Sequence, residues 1–110
     1  MLTENVAWHV PGTSAIAGDY QGRDEVLRYF ARRRKLANAT FRIHVRGVLA
    51  DDERAVILAG GEVEQGGKTF AWGTIGIFRI AEARIAECWV VPYDQEAFDK
   101  IWSSASDLHR

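Results

Sequence analysis

A chain of 110 residues, 47% of them hydrophobic, is long enough for one core and too short for two. Fourteen basic against fifteen acidic residues leave a formal net charge of −1, so no global field draws nucleic acid or an anionic membrane surface. No apolar run approaches the ~20 residues that cross a bilayer, Met1-Leu2-Thr3-Glu4-Asn5 has no signal core, and the lone Cys88 gives no disulfide framework, which together predict a cytoplasmic setting.

Val6 to Val10, stopped by Pro11-Gly12, is predicted as a short strand over 6–10, and the next ten residues, rich in Gly, Ser and Ala, as loop. In such a strand Val6, Trp8 and Val10 face one way and Ala7 and His9 the other. Trp8 and His9 therefore line one pocket together only if a bulge near Pro11 reorients the chain. From Arg23 the apolar period becomes helical and predicts a helix over 23–36, with Val26, Leu27, Phe30 and Ala31 on one side. Asp24 and Glu25 in its first turn and Arg32-Arg33-Arg34-Lys35 in its last complement the helix dipole, so the basic cluster reads as a solvated helix end.

Strands are predicted next over 41–49, 55–64, 68–80 and 84–91. In the first, Phe41, Ile43 and Val45 face a core while Arg42, His44 and Arg46 face outward, which makes His44 a surface residue. Asp51-Asp52-Glu53-Arg54 and Gln65-Gly66-Gly67 are turns, and Gly60-Gly61 reads as a bulge. Phe70, Trp72, Thr74, Gly76 and Phe78 share a face in the third strand. In the last, Cys88 reads as a small buried hydrophobe, and Glu87 is the one carboxylate in an apolar run. Three readings stay open for Glu87: rim-exposed, paired with an arginine across a subunit interface, or a desolvated acid in a pocket. A helix is predicted over 94–103 with Asp94 as N-cap and Tyr93 and Phe98 as a hydrophobic staple, followed by a polar tail, Ser103 to Arg110, that frays. Three successive hairpins behind one helix describe a single α+β domain with a curved antiparallel sheet. His9, His44 and His109 lie in separate segments without the spacing of a zinc site, and the paired glycines precede no helix that would hold a phosphate, so neither metal nor nucleotide cofactor is expected.

The run Trp8-His9-Val10-Pro11-Gly12, then Ala17-Gly18-Asp19-Tyr20-Gln21-Gly22-Arg23-Asp24, then Arg84-Ile85-Ala86-Glu87-Cys88-Trp89 and Asp94, resembles the SnoaL-like polyketide cyclase group. That group belongs to the nuclear-transport-factor-2-like superfamily with ketosteroid isomerase and limonene epoxide hydrolase. The resemblance implies a cone-shaped α+β barrel whose strongly curved sheet wraps a helix and a hydrophobic pocket, often dimeric through the sheet. Members usually begin with a long helix over sheet and pocket, and here the first strand comes almost at once. The expectation is that another subunit, the C-terminal helix or the ligand covers the sheet. Relatives often have Asp-Gly at the last hairpin turn where this chain has Glu82-Ala83, which implies a different turn type because Ala resists positive φ.

Position by position, the resemblance places His9 near the carboxylate base of ketosteroid isomerase, where an imidazole would titrate near neutrality. It places the second oxyanion donor near Gly76, which has no side chain to donate, and it associates Asp94 with the late acid/base aspartate of the cyclases. The candidate catalytic residues are thus His9, Asp94 and Glu87, and the candidate pocket residues are Trp8, Tyr20, Phe30, Trp72, Phe78, Trp89 and Tyr93. Three functions follow: a cofactor-independent isomerase, cyclase or epoxide hydrolase, a non-catalytic binder of a small hydrophobic molecule, and a homo-oligomeric assembly domain with a filled pocket.

Overall fold

The computed structural model describes residues 1–37 and 40–108, so His109 lies outside the described residues. The first strand, β1, runs Leu2–Val10, and its alternation sends Val6, Trp8 and Val10 into the core. It begins earlier than the pattern of Thr3-Glu4-Asn5 suggests because its neighbour in the sheet supplies backbone partners there, with Ile85 N–H donating to Met1 O at 2.7 Å. The segment Gly18–Gln21, expected as loop, is a second strand, β2, antiparallel to β1 with Trp8 opposite Tyr20 and His9 opposite Asp19. Four residues with Gly and Asp among them carry no strand signal of their own, and the open backbone groups of β1 supply the reason for the pairing.

Helix α1 spans Arg23–Leu36 and buries Val26 and Tyr29. Strands β3 (Arg42–Ala50), β4 (Arg54–Gln65), β5 (Lys68–Ala81) and β6 (Arg84–Pro92) follow as hairpins, and α2 spans Gln95–Leu108, five residues beyond the predicted end. The sheet order is β2-β1-β6-β5-β4-β3, antiparallel throughout except that β1 runs parallel to β6. It curves without closing, so β2 and β3 are free edges of what the barrel description treats as a wall.

A bulge at Arg46 shifts the register of β3, so Val48 and Ala50, rather than Gly47 and Leu49, continue the face begun by Ile43 and Val45. Gly60 and Gly61, expected as a bulge, pair regularly with Gly73 and Trp72. The glycine at 61 is explained by the Trp72 indole lying across it, where a Cβ would overlap the ring. At the last hairpin Glu82 (φ 54°) and Ala83 (φ 61°) both take left-handed backbone, so the turn keeps the geometry that two-residue hairpin loops favour despite its residues.

Helix α2 closes one end of the sheet. Asp94 Oδ1 accepts from Ala97 N–H at 3.0 Å, and Phe98, Ile101 and Trp102 are buried against the inner face. Gln65 Nε2 donates to Ile101 O at 3.3 Å and Gln95 Nε2 to Pro11 O at 3.3 Å, fastening the helix to the end of β4 and to the first loop. The staple partner Tyr93 is 62% exposed, with its ring over Gly73 rather than buried beside Phe98. No helix of the described residues is long and apolar enough to cross a membrane.

Candidate functional site

Strand parity divides the sheet into two chemically different faces. The inner face receives Trp8 from β1, Cys88 and Val90 from β6, Trp72, Thr74, Gly76 and Phe78 from β5, and Ile57, Ala59 and Gly61 from β4. With Tyr29, Phe30 and Arg33 of α1 and Phe98 and Trp102 of α2 above them, these residues enclose a cavity of about 340 Å³. Ring packing sets its walls: Trp8 meets Phe30 edge-on at 4.9 Å and Phe78 at 6.0 Å, and Trp72 lies 5.6 Å from Trp102 and 5.8 Å from both Phe41 and Phe98. On the β3 side Ile43 and Val45 line the cavity yet are 52% and 60% exposed, so that side is its mouth.

Few polar side chains line this space, chiefly Arg33, Tyr29 and Thr74 with the Cys88 thiol. The indole N–H groups of Trp8 and Trp102 are buried without a hydrogen-bond partner. Arg33 places its guanidinium over Phe41 (4.5 Å), Phe30 (5.1 Å) and Tyr29 (5.3 Å), and donates to Tyr29 Oη at a long 3.4 Å. Burial pushes the Tyr29 hydroxyl above its ordinary range and the Cys88 thiol up to about 12, so neither is a base or nucleophile at neutral pH. The described residues lining the cavity include no histidine, Asp or Glu.

A family model described as the SnoaL-like domain matches residues 1–88. This chain belongs to that family. Among solved structures, Bal32a from a soil-derived mobile gene cassette is 33% identical, with 92% of this chain and 78% of that chain covered and a TM-score of 0.85. A protein of unknown function with a cystatin-like fold from Xanthomonas campestris is 24% identical over 92% of this chain and 79% of its own, with a TM-score of 0.83. TerC, co-crystallised with polyporic acid, is 17% identical over 90% and 78%, with a TM-score of 0.77. The two latter likenesses establish the SnoaL-like domain's fold and nothing of its chemistry. No curated protein matches the chain.

Of the residues singled out in the sequence, Trp8, Phe30, Trp72 and Phe78 come together around the cavity of this SnoaL-like domain. His9, Glu87 and Trp89 come together on the opposite face. His9 is held between two carboxylates, Nδ1 at 2.7 Å from Asp19 Oδ1 and Nε2 at 2.6 Å from Glu87 Oε2. Donating at both nitrogens requires the imidazolium, and the hydrogen bonds to Asp19 first and Glu87 second hold its pKa above the ordinary 6.5 against the opposing pull of burial. Trp89 stacks on the ring at 5.6 Å, and Arg79 Nε donates to Glu87 Oε1 at 3.4 Å. Glu87 therefore finds its arginine within its own chain. Asp94 is engaged in capping α2, and the Tyr20 hydroxyl donates to Ile16 O at 2.7 Å while its ring stacks on Tyr29 at 4.4 Å. Neither Asp94, Tyr20 nor Tyr93 lines the cavity.

Arg33 is the residue that sequence reading passed over. It stands three positions after Phe30 and seven after Val26, on the inward stripe of α1, while Arg32, Arg34 and Lys35 beside it are exposed. The stripe read from the sequence included Leu27 and Ala31, which are exposed; the inward face is rotated toward Val26, Tyr29, Phe30 and Arg33, and grouping the four basic residues as one solvated end concealed the last of them. Among the described residues no group of three His, Cys, Asp or Glu side chains is placed to hold a metal ion.

Proposed function

We propose that this SnoaL-like domain binds a small, mostly apolar molecule carrying a hydrogen-bond acceptor, in the cavity between the inner sheet face and the two helices. The observation that carries this reading is the aromatic-lined space itself, to whose wall Arg33 and Thr74 bring groups able to hydrogen-bond a ligand. A volume of about 340 Å³ stands at the small end of ligand sites, which suits one or two fused rings. Acid/base turnover of such a ligand by His9, Glu87 or Asp94 finds no support, since all three side chains are spent elsewhere. Binding is therefore favoured over isomerase, cyclase or hydrolase chemistry based on those residues.

Titration with 1-tetralone, a bicyclic ketone, tests the reading. Saturation at 100 times Kd adds about 2.7 kcal/mol to stability, visible as a rise in Tm. Ala59→Leu, which fills the cavity from β4, should remove that rise while the circular dichroism of the fold persists. A wild type whose Tm does not respond, or a response that survives Ala59→Leu, overturns it.

The outer face favours a second, compatible reading, a homodimer through the sheet. Leu58, Ile77, Trp89 and Val91 are all exposed on adjacent strands, an apolar patch in the middle of the face. A two-fold axis along the strands would lay the β2 end of one copy, with the exposed Asp19, over the β3 end of the other, with Arg42 and Arg46. Trp89→Glu should convert the dimer to monomer in sedimentation, and a wild type that sediments as a monomer at all concentrations sinks this reading.

A further inference from the structure

We infer that the ligand enters the cavity as an anion, an aromatic or alicyclic carboxylate whose oxygens are met by the Arg33 guanidinium; this deepens, and rests on, the binding function proposed for the same cavity.

The helix dipole accounts for Arg32, Arg34 and Lys35, which point to solvent, and leaves the inward guanidinium of Arg33 unexplained. A fully buried arginine is almost never unpaired, and a partly buried one such as Arg33 gives up part of its hydration. Among the described residues none stands within ion-pair distance of Arg33, although Arg42, Arg54 and Arg79 each have one. Three ring faces stand in its place, from Phe41, Phe30 and Tyr29. Cation–π contact of this kind offsets about 0.5–2 kcal/mol of desolvation and orients the guanidinium, but it satisfies none of the five N–H donors. Among the described residues, the acceptor they meet is Tyr29 Oη at 3.4 Å.

Of the side chains on the wall, Arg33 alone carries full charge, and its donors meet no strong acceptor among the described residues. A neutral acceptor leaves that charge unanswered, whereas a carboxylate neutralises it and matches the planar fork of a guanidinium in bidentate fashion. The rings that hold Arg33 in place also form the wall against which the apolar part of such an acid rests.

The test compares isosteres that differ in charge. Calorimetric titration of wild type, Arg33→Gln and Arg33→Lys with 1-naphthoate and the neutral 1-naphthamide at pH 7.5 separates the ring from the anion. Wild type should bind naphthoate about tenfold or more tightly than naphthamide. Arg33→Gln should bring the ratio close to one by weakening naphthoate far more than naphthamide, and Arg33→Lys should retain part of the preference. A circular dichroism spectrum and Tm close to wild type show that each variant keeps its fold. Equal affinity for the two probes in wild type, or a preference that survives Arg33→Gln, overturns the anion inference and leaves the cavity reading standing. Failure of both probes and of 1-tetralone takes the cavity reading down as well.

Discussion

Replacing Trp102 by Phe sets two opposed terms against each other. Trp102 is fully buried among Phe41 at 5.7 Å, Trp72 at 5.6 Å and Phe98 at 6.5 Å, yet its indole N–H has no acceptor. Trimming the indole to a phenyl removes roughly 40–50 Å² of buried apolar surface, about 1 kcal/mol at ~25 cal/mol/Å². It also removes an unsatisfied buried donor, whose presence costs about 1–3 kcal/mol. The second term matches or exceeds the first, so Trp102→Phe should lie between wild type and about 2 kcal/mol more stable, a rise in Tm of no more than about 10 °C. Trp102→Ala has no such compensation and should cost about 3–5 kcal/mol, as large-to-small core changes do. Thermal and urea unfolding followed by near-ultraviolet circular dichroism, at one protein concentration to hold any dimerisation constant, measures both. If Trp102→Phe loses about 3 kcal/mol or more, the indole N–H is bonded in the free protein.

The remaining predictions concern the outer face and a turn. Because the folded pKa of His9 lies above 6.5, its pairs with Asp19 and Glu87 contribute fully below pH 6.5 and fade as pH rises through the folded value. Wild-type Tm should therefore fall over that window relative to His9→Gln; profiles that stay parallel from pH 5.5 to 9 would refute the doubly bonded imidazolium. At the last hairpin the left-handed backbone of Glu82 and Ala83 is strained for both residues, and the exchange to Asn-Gly should add about 1 kcal/mol to the unfolding free energy. A neutral or destabilising result would show that the turn is not held in that geometry.

What the sequence made legible follows from which signals are local. Alternation placed Trp72 and Phe78 on one face without any knowledge of neighbours, and the Asp94 cap was readable from spacing within one helical turn. Parity also showed that Trp8 and His9 part company, but it did not say which of them turns inward. That depends on which side the two helices pack, a tertiary fact. Gly61 is of the same kind: its reason is the Trp72 ring on the adjacent strand, and the pair exists only once the β4–β5 register is known. β2 was invisible because its stability comes from the β1 edge and not from its own four residues. Arg33 differs from these. Its inward position depends on how the apolar stripe of α1 is centred, and a stripe centred on Leu27 and Ala31, both exposed, left it among the solvated cations.

The parity of β1 has a further consequence for how this sheet could acquire activity. Trp8 and His9 are adjacent in sequence and stand on opposite sides of a sheet whose two faces do different work. Inside, the one charged group on the wall is a guanidinium whose acceptor among the described residues is Tyr29 Oη; outside, a histidine, two carboxylates and an arginine hydrogen-bond one another. A base inside the cavity would have to come from another position whose side chain already faces it. Ala59, Thr74 and Gly76 are such positions, and Thr74 is the only one with a side chain that can hydrogen-bond. Thr74→Asp would introduce a carboxylate into the same apolar wall as Arg33, where desolvation raises its pKa and the guanidinium lowers it. The balance of those two terms decides whether a binding cavity of this shape can be given proton-transfer chemistry without moving a strand.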